Sequence, residues 1–373
     1  MNWNILAAGK RIPDSAGMTR LRQSFAGQAY NRVMKIGIVR GAFGNPYELQ
    51  NWEPLAGKHE VAVFVSKNNG FRTAARFDAR RAGMTVERLW SPYDYLNRYS
   101  RAVFNRLFVD SHYLFGLEKK LKGFDTAVCA ETYYAYTQQC LNAKKKGYVK
   151  KVISTVWENI PFNNESIRGR KEFKQRAIKE VDYFIAVTQK AREALIAEGC
   201  DPQKITVIPM GVDLERFRPS RGFRTHAGMT KVLMVGRLVK EKGILELAKK
   251  IQGVEVKIIG GGIPYEKMPE VYREADIFVH PVIGSKTWQE QFGMVLVEAM
   301  ASGLPIITTD CGSIPEVVGD AGIISKDIIK DLKLLVANKN LRLKMGKIAR
   351  ARAEKYFDRN LIAAQYDQLI AKI

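Results

Sequence analysis

The sequence predicts an α/β protein built from two doubly wound domains that face a central cleft. Short strand candidates alternate with helix candidates along most of the chain. They are apolar on both faces, as strands are in a parallel sheet that helices cover on both sides. A polar, Arg-rich stretch at 214–230 interrupts this alternation once, and the alternation then begins again. The length of 373 residues also suits two domains better than one core.

The first domain is expected over residues 34–213. Its opening strand, 35–39, runs into a loop that carries Gly41 and Gly44. Further strand candidates lie at 59–65, 125–130, 151–156, 182–188 and 205–210, with helix candidates at 171–180 and 189–199 between them. Residues 1–33 have weak periodicity, so we expect either an N-terminal extension or a real start at Met34.

The second domain is expected over residues 231–357, after a linker at 214–230. Strand candidates lie at 231–236, 254–261, 276–281, 304–310 and 321–325. A helical tail at 358–373 closes the chain. In sheets of this kind ligands bind beyond the carboxyl ends of the strands, so the cleft is the predicted site.

Composition excludes several classes of protein. Hydrophobic residues make up 46% and charged residues 26% of the chain, which is typical of a soluble globular protein. No apolar run reaches the ~20 residues that span a bilayer, and the first residues are too polar for a secretory signal. The cysteines lack the spacing of a zinc knuckle or a redox pair, so we expect buried thiols in a reducing cytosol. They are Cys129, Cys140, Cys200 and Cys311.

The net charge of +22 is concentrated in the first half of the chain. Residues 1–200 contain 33 Lys and Arg but only 18 Asp and Glu. Such a basic excess attracts nucleic acid, anionic lipid or a phosphorylated substrate. Charge alone leaves these three partners open.

The segment 290–298 (EQFGMVLVE) has the pattern of a ligand-binding helix start. A helix is predicted over 293–300, with Gly303 and a following proline as its stop. Amides of its first turn have no helical partner and can hold a phosphate or a sugar hydroxyl, and Gly293 permits close approach. Glu290 and Glu298 bracket this turn as hydroxyl acceptors. The alternative is an amphipathic helix with two solvated glutamates.

The segment 236–243 (GRLVKEKG) follows a predicted strand directly. Arg237 and Lys242 stand five residues apart around the turn, so both can point at one anion. A departing diphosphate needs its developing charge neutralised, which two bases would do. The alternative is a pair of solvated surface bases.

Four markers together make the chain resemble glycosyltransferase family 4, whose retaining enzymes have the GT-B fold of two Rossmann-like domains. The resemblance covers most of the chain from Met34 onward. The markers are VIPMGVDLERFRP (207–219), GRLVKEKG (236–243), EQFGMVLVE followed by AMASGLPII (290–307), and GSIPEVVGDAG (312–322). It implies a final helix, roughly 360–373, that crosses back to the first domain as part of a hinge between domains that close on substrate.

The resemblance also implies roles for single residues. Arg237 and Lys242 would bind the diphosphate of a UDP- or GDP-sugar, Glu290 the hydroxyls of the transferred sugar, and Glu298 the ribose. The amides that would hold sugar and phosphate belong to Phe292, Gly293, Met294 and Val295. Glycines expected beside the donor are Gly41, Gly44, Gly236 and Gly261. The reaction would retain anomeric configuration with the leaving phosphate as base, and would require no cofactor and no divalent metal.

Three departures from the family pattern bear on the site. Where the family often has a catalytic histidine, this chain has Trp157 and Glu158, which we place on the acceptor side. Either Glu158 replaces that histidine or it is a loop carboxylate with a structural partner. Gln291 replaces a usual glycine, and the segment 258–281 is short, which predicts a smaller second domain. His280, at the end of a strand, is expected to be structural.

The acceptor is expected on the first domain. The segment 95–123 mixes aromatic and basic residues at helical spacing, and 143–151 adds charge. We expect its aromatic residues to form a core stripe and its charges to contact an anionic membrane surface. A glycan or lipid-linked acceptor and a cytoplasmic location, peripheral at the inner face of the membrane, would follow.

Two other functions remain open from the sequence. A GT-B isomerase of nucleotide sugars would need a base near the sugar, for which His280 and Glu158 are candidates. A non-enzymatic nucleic-acid-binding protein would explain the sequence pI of 9.8. It would not explain the Glu290–Glu298 pair, and the chain has no recognition-helix or zinc-module signature, so no nucleic-acid partner is expected.

Overall fold

The computed structural model describes residues 32–68, 83–220 and 229–373. Two parallel sheets dominate the described residues, one from each half of the chain, as the sequence predicts. Residues 1–31 of the predicted extension and residues 221–228 of the predicted linker lie outside the described ranges.

The first sheet has seven strands in the order β3-β2-β1-β4-β5-β6-β7. They are β1 Lys35–Gly41, β2 Glu60–Ser66, β3 Thr85–Leu89, β4 Phe124–Ala130, β5 Val149–Val156, β6 Tyr183–Ala186 and β7 Ile205–Val207. All except β3 are predicted from the sequence. Strand β3 escapes prediction because it is an edge strand whose residues, apart from Leu89, are exposed or only partly buried.

The second sheet has five strands in the order β12-β11-β10-β8-β9. They are β8 Lys231–Val235, β9 Glu255–Ile259, β10 Ile277–His280, β11 Ile306–Thr308 and β12 Gly322–Ile324, all of them predicted. Between β9 and β10 lie only a short 3-10 turn, Tyr265–Lys267, and one helix. This confirms the short connection, and β9 is left as the edge of the described sheet.

Helices lie between the strands and close the chain. In the first half they are α1 Pro46–Leu49, α2 Arg98–Phe108, α3 Leu117–Lys120, α4 Ala135–Lys145, α5 Arg170–Glu180 and α6 Gln189–Ala197. In the second half they are α7 Ile244–Ala248, α8 Met268–Arg273, α9 Met294–Ala301, α10 Ile314–Val318, α11 Ile328–Ala337, α12 Lys339–Tyr356 and α13 Arg359–Lys372. No helix within the described ranges is both long and apolar enough to cross a membrane.

The last helix, α13, returns to the first sheet as expected. Tyr366 on this helix stacks on Trp52, with ring centroids 4.4 Å apart, and both side chains are buried. The return begins where the amide of Val212 donates to the carbonyl of Phe357 at 2.7 Å. The two halves are therefore joined twice, through the chain before β8 and through α13.

The predicted linker is not free chain over its described part. Phe217 is fully buried in the core of the second half, where its ring lies against Tyr265 and Tyr272. Arg350 donates to the carbonyl of Phe217 at 2.8 Å. A single aromatic anchor in a polar stretch has no periodicity, so the sequence pattern misses it.

The segment 95–123 is not one continuous helix. Helix α2 ends at Phe108, because Val109 adopts a left-handed conformation with φ 68° that no helix continues. The expectation of an aromatic core stripe on this segment is wrong, since the side chains of Tyr99 and Phe108 are largely exposed. By contrast, the expected buried thiols are confirmed, because all four cysteines are buried and unpaired.

Candidate functional site

The carboxyl ends of two neighbouring strands bring three predicted residues together. Strands β8 and β10 pair directly, so the turn after β8 and the last residue of β10 meet at the same edge. The turn after β8 carries Lys242, and β10 ends at His280. Both side chains reach Glu290, which precedes helix α9.

The carboxylate of Glu290 receives both partners on one oxygen. Lys242 Nζ forms a buried ion pair with Oε2, and His280 Nε2 lies 3.1 Å from the same atom. Burial favours a raised pKa for Glu290, but the hydrogen bond from His280 and the charge of Lys242 outweigh it and lower that pKa to about 2. Glu290 is therefore ionised. The alternative of a solvated glutamate is wrong at this position.

His280 is a contact of the site and not merely a core residue. A carboxylate can only accept hydrogen bonds, so Nε2 of His280 carries the ring hydrogen and donates a hydrogen bond to Glu290. Burial lowers the pKa of His280, which keeps the ring neutral. Its Nδ1 then has a free lone pair, and that atom is buried without a hydrogen-bond partner.

Arg237 and Lys242 occupy different environments. Lys242 is buried and its ammonium also lies 5.2 Å from the centre of the Trp288 ring. Arg237 is exposed at the start of the same turn, and its side chain makes no ion pair or hydrogen bond to any described residue. Arg237 is thus free to bind an anion, whereas Lys242 is held by Glu290.

The start of helix α9 has the form that the sequence predicts. Gly293 has φ 83°, and a Cβ there would come within 2.9 Å of the Leu296 side chain. The amides of residues 292–295 donate to no backbone acceptor among the described residues. Four amides without a backbone acceptor thus lie at the start of the helix, directly after Glu290 and Gln291 in the chain.

Glu298 lies on the same helix but is buried, so the solvated alternative is wrong here too. Tyr272 donates its hydroxyl to Oε2 at 2.7 Å, while Oε1 is buried and has no partner. Burial raises the pKa of Glu298 to about 7, against the hydrogen bond from Tyr272, the nearby hydroxyl of Tyr265 and the charge of Arg216. An unpaired buried oxygen costs stability and calls for a donor.

The four glycines expected beside the donor have different surroundings. Gly41 has φ 52°, and a Cβ added there would press on the Tyr136 ring. A Cβ added at Gly44 would lie 2.5 Å from the Val65 side chain. Packing alone accounts for these two. Gly236 and Gly261 have φ 154° and 145°, and a Cβ on Gly261 would meet nothing within 4 Å. Gly261 is therefore open for a ligand to approach.

The side chains of Trp157 and Glu158 are engaged locally. Glu158 accepts from the amides of Asn159 and Ile160 at 3.1 and 3.0 Å, and from the side-chain amide of Asn163 at 2.9 Å. These bonds give Glu158 a structural role in its own loop. The indole of Trp157 donates to the sulfur of Met210 at 3.0 Å.

A buried carboxyl that the sequence analysis does not single out lies beneath this loop. Glu131, at the end of β4, accepts from the amides of Trp157 and Glu158 at 2.9 and 3.2 Å. Burial, and then the nearby charge of Glu158, raise the pKa of Glu131 to about 8. Glu131 is therefore protonated near neutral pH.

Direct hydrogen bonds cross the cleft beside Glu290. The side-chain amide of Asn159 donates to the carbonyl of Glu290 at 2.9 Å and to the hydroxyl of Ser313 at 3.1 Å. Thr188 shares a further hydrogen bond of 3.1 Å with Ser313. The described conformation is therefore a closed one, in which the first half touches the second beside Glu290 and Ser313.

Sequence reasoning did not find Asn159, Ser313 and Tyr272 as members of this site. Asn159 directly follows the Trp157–Glu158 pair, and Ser313 lies within the marker GSIPEVVGDAG, so position in the motifs was the available signal. No group of His, Cys, Asp and Glu side chains in the described ranges is arranged to hold a metal ion.

Two family models match the chain, one over each half. The model described as Glycosyltransferase Family 4 matches residues 55–216, and the model described as Glycosyl transferases group 1 matches residues 230–352. The second match contains Lys242, His280, Glu290 and Glu298. The first match contains every strand of the first sheet except β1, and the second match contains all five strands of the second sheet.

Curated relatives match a limited part of the chain. A D-inositol 3-phosphate glycosyltransferase of Mycobacteroides abscessus is 28% identical in an alignment of 194 positions that covers 42% of this chain and 42% of the relative. One of Nocardia farcinica is 29% identical in an alignment of 197 positions that covers 41% of this chain and 43% of the relative. The chain thus matches less than half the length of these relatives.

Solved structures share the fold over nearly the whole chain. Sucrose-phosphate synthase from Thermosynechococcus elongatus has a TM-score of 0.69 at 18% identity and covers 91% of this chain and 98% of its own. HepE of Anabaena, solved with UDP-glucose, has a TM-score of 0.68 at 16% identity, with coverages of 91% and 100%. A putative UDP-N-acetylglucosamine 2-epimerase from Listeria monocytogenes has a TM-score of 0.56 at 14% identity, with coverages of 90% and 95%.

Proposed function

The chain belongs to the family 4, group 1 glycosyltransferases of the GT-B fold, and we propose that it transfers a hexose-type sugar from a nucleotide diphosphate sugar to a hydroxyl acceptor. One observation carries this proposal. A helix start with unpaired amides lies between a carboxylate that is ionised at neutral pH, Glu290, and a buried carboxyl, Glu298, that has one unpartnered oxygen.

Each group of that arrangement suits one part of a UDP- or GDP-sugar. Glu290 uses only Oε2 for Lys242 and His280, and among the described residues Oε1 accepts no hydrogen bond, so it can accept from a sugar hydroxyl. The unpaired Oε1 of Glu298 can accept from a ribose hydroxyl. The amides of residues 292–295 can donate to the phosphates and the sugar.

Positive charge for the diphosphate comes from Arg237 and Lys242 in this proposal. Arg237 is exposed and unpaired within the described ranges, so it can bind the phosphates directly. The positive charge of Lys242 is partly neutralised by Glu290. This neutralisation ends if the ammonium turns from the carboxylate to a bound phosphate. The charge on the departing nucleotide would then be met without a divalent metal.

The proposed transfer retains configuration at the anomeric carbon. The bond between that carbon and the phosphate oxygen breaks, and the nucleotide diphosphate leaves with the electron pair. The acceptor oxygen bonds to the same face of the carbon and gives its proton to the leaving phosphate. This scheme needs no protein nucleophile, which agrees with the engagement of Glu158 in its own loop.

The acceptor in this proposal is a glycan or a lipid-linked sugar, and the enzyme acts in the cytoplasm at the inner face of a membrane. The observation that supports it is the charge of the first half, with 33 basic and 18 acidic residues in positions 1–200. A basic surface concentrates anionic lipids and phosphorylated acceptors.

Thermal unfolding with added nucleotides tests the donor assignment. A nucleotide diphosphate at about 100 times its Kd is expected to stabilise the protein by about 2.7 kcal/mol, and UDP and GDP should differ because only one base fits. A nucleoside monophosphate without the second phosphate serves as the control. If neither UDP nor GDP raises the Tm at millimolar concentration, the proposal is wrong.

Incubation with the nucleotide sugar alone separates transfer from isomerisation. A transferase releases nucleotide diphosphate slowly without an acceptor and rapidly with one. An isomerase instead converts the nucleotide sugar to an epimer with no release of nucleotide, and would need a base such as Nδ1 of His280, which is buried without a partner. Formation of an epimer would therefore replace the transferase proposal by the isomerase.

A further inference from the structure

The first half of the molecule carries an unusual concentration of exposed apolar side chains. Among the described residues, eight of the nineteen exposed large hydrophobic side chains lie between positions 90 and 115. We call these eight the aromatic patch. It consists of Trp90, Tyr95, Tyr99, Val103, Leu107, Phe108, Tyr113 and Phe115.

Helix α2 turns its apolar stripe away from the protein. Tyr99, Val103 and Leu107 stand four residues apart on one face and are 83%, 60% and 71% exposed. A surface helix ordinarily buries such a stripe against the core. The reversed orientation leaves three large side chains without an intramolecular reason to be apolar.

The opposite face of α2 is fixed to the protein by polar contacts. Arg101 donates to the carbonyl of Leu96 at 3.1 Å, and its guanidinium lies 4.0 Å from the centre of the Tyr93 ring. Asn105 accepts from the amide of Ser111 at 2.9 Å. Arg101 and Asn105 follow the stripe by two residues, about 200° around the helix, so these contacts hold the stripe outward.

Aromatic rings extend the patch beside α2. Trp90 stacks on Tyr95 at 5.5 Å and meets Phe115 edge-to-face at 4.6 Å, while Tyr113 contacts Phe115 at 5.1 Å. These rings are each about half exposed. Trp and Tyr are the side chains that prefer the boundary between lipid and water, because each has an apolar body and a polar tip.

The charges around the patch are positive where they are free. Arg106 on α2 and Lys119 and Lys122 nearby in the chain are exposed, and within the described ranges none of them has an ion-pair partner. The acidic residues of the same segment are satisfied, Asp110 by His112 at 2.7 Å and Glu118 by Lys146. Exposed apolar rings with free cations complement an anionic lipid surface.

We infer that the aromatic patch docks this protein on an anionic lipid bilayer, with the Tyr99–Val103–Leu107 stripe entering the headgroup region and Arg106, Lys119 and Lys122 contacting lipid phosphates. The biological reason for docking, a lipid-linked acceptor, rests on the proposed function, but the docking itself requires no catalysis. A second copy of the chain is a poorer occupant, because two patches with the same positive charge repel each other.

Binding to vesicles, measured by co-sedimentation at low ionic strength, tests the inference. The protein is expected to bind vesicles that contain phosphatidylglycerol, to bind vesicles of pure phosphatidylcholine far more weakly, and to be released by high salt. Failure to bind the anionic vesicles would overturn the inference. The shift of Tm by UDP or GDP, measured on the same preparation, reports separately on the proposed function.

Substitutions on the aromatic patch test whether this surface is the one that binds the vesicles. Val103→Ser with Leu107→Ser is expected to weaken binding about tenfold for each side chain removed. The matched control, Leu334→Ser with Leu343→Ser, removes two exposed leucines from the second half and should leave binding unchanged. Equal binding by both double variants would overturn the assignment of the stripe.

The cations are tested by comparing two triple variants that have the same net charge. Arg106→Gln, Lys119→Gln and Lys122→Gln together should weaken binding about a hundredfold, at about fivefold for each residue. The control removes the same charge elsewhere, as Lys339→Gln, Lys344→Gln and Lys347→Gln, and should have little effect. If the patch variants instead change the oligomeric state and not vesicle binding, the patch is a protein interface and the inference is wrong.

Discussion

Lys242 and Glu290 form a buried ion pair across 48 residues of sequence, at the point where two strands of the second sheet end. The pair joins a residue expected to hold the donor phosphates to one expected to hold the sugar. In the absence of a nucleotide sugar, each of the two residues neutralises the charge of the other. The site is therefore held in shape by the same charges that the substrate would use.

This relationship changes the expected result for Lys242→Ala. For a lysine without a protein partner, the substitution would abolish transfer and leave the fold intact. In the structure the substitution leaves Glu290 charged and buried without its cation, which typically costs about 3–5 kcal/mol. We expect both lost turnover and a lowered Tm, measured by product release and thermal unfolding.

The double variant Lys242→Ala with Glu290→Gln is the control for that prediction. Removing the second charge should recover much of the Tm but none of the turnover. Recovery of turnover would contradict the assignment of Lys242 to the phosphates, and an unchanged Tm in the single variant would contradict the ion pair.

Arg237→Ala should lower turnover without lowering thermal stability. Its side chain is exposed and has no described partner, so the Tm is expected to stay the same. Turnover should fall by about 10²–10³, as when one preorganised donor to a transition-state anion is removed. Lys240→Ala, in the same turn and also exposed, is the matched control and should retain activity. Retained turnover in Arg237→Ala would remove that residue from the phosphate site.

Glu298 predicts a pH dependence of nucleotide binding. Burial raises its pKa from 4.5 to about 7, so in the empty protein the carboxyl keeps its proton up to neutral pH. A ribose hydroxyl that donates to it favours the ionised form. The affinity for UDP or GDP is therefore expected to fall as pH drops below 7, by up to about tenfold per pH unit.

Calorimetry between mildly acidic and mildly alkaline pH measures this effect. The nucleotide titrates in the same range, so the informative quantity is the difference between the wild type and Glu298→Gln, in which the dependence should be flatter. The free energy of unfolding of the empty wild type should also decline as pH rises from about 4.5 to 7, because the folded state holds the Glu298 proton more tightly. Identical pH profiles for both proteins would contradict the ribose assignment.

Glu158→Gln tests whether this carboxylate replaces the family histidine. Its oxygens accept from Asn159, Ile160 and Asn163, and an amide group in their place would face these donors. We expect a loss of about 1–3 kcal/mol in stability with kcat nearly unchanged. A large fall in kcat at unchanged Tm would show the opposite, namely that Glu158 acts on the substrate.

Much of the fold follows from local pattern, whereas the site depends on pairs that are distant in sequence. The strands were predictable because buried parallel strands are continuously apolar, and β3 was missed because an edge strand need not be. Glu290 and Glu298 were identified by spacing. That Glu290 is ionised while Glu298 favours its proton could not be predicted, since it depends on Lys242, His280 and Tyr272 reaching them in space.

The orientation of segment 95–123 is likewise not determined by its periodicity. A helical period of aromatic residues indicates one apolar face, but it does not say whether that face meets the core. The break at Val109 and the polar contacts of Arg101 and Asn105 decide the orientation, and none of them has a local signature.

The contacts that cross the cleft predict a conformational role for Asn159. Its side-chain amide donates to the Glu290 carbonyl at 2.9 Å and to the Ser313 hydroxyl at 3.1 Å, so it joins the first half to the second beside Glu290. Asn159→Ala removes both bonds and should favour an open cleft. We expect a larger radius of gyration in solution scattering and a KM for the nucleotide sugar raised several-fold, with a smaller change in kcat.

Ser313→Ala removes only one of the two hydrogen bonds of Asn159, because it keeps the bond to the Glu290 carbonyl. Its effect on KM should be smaller than that of Asn159→Ala, and the double variant should be no worse than Asn159→Ala alone, since both substitutions remove the same bond. Additive effects would mean that Ser313 acts mainly through Thr188, with which it shares a hydrogen bond of 3.1 Å. An unchanged radius of gyration together with an unchanged KM in Asn159→Ala would show that closure depends on other contacts, such as the amides of Gln189 and Lys190 that donate to Glu316 at 2.7 and 3.4 Å.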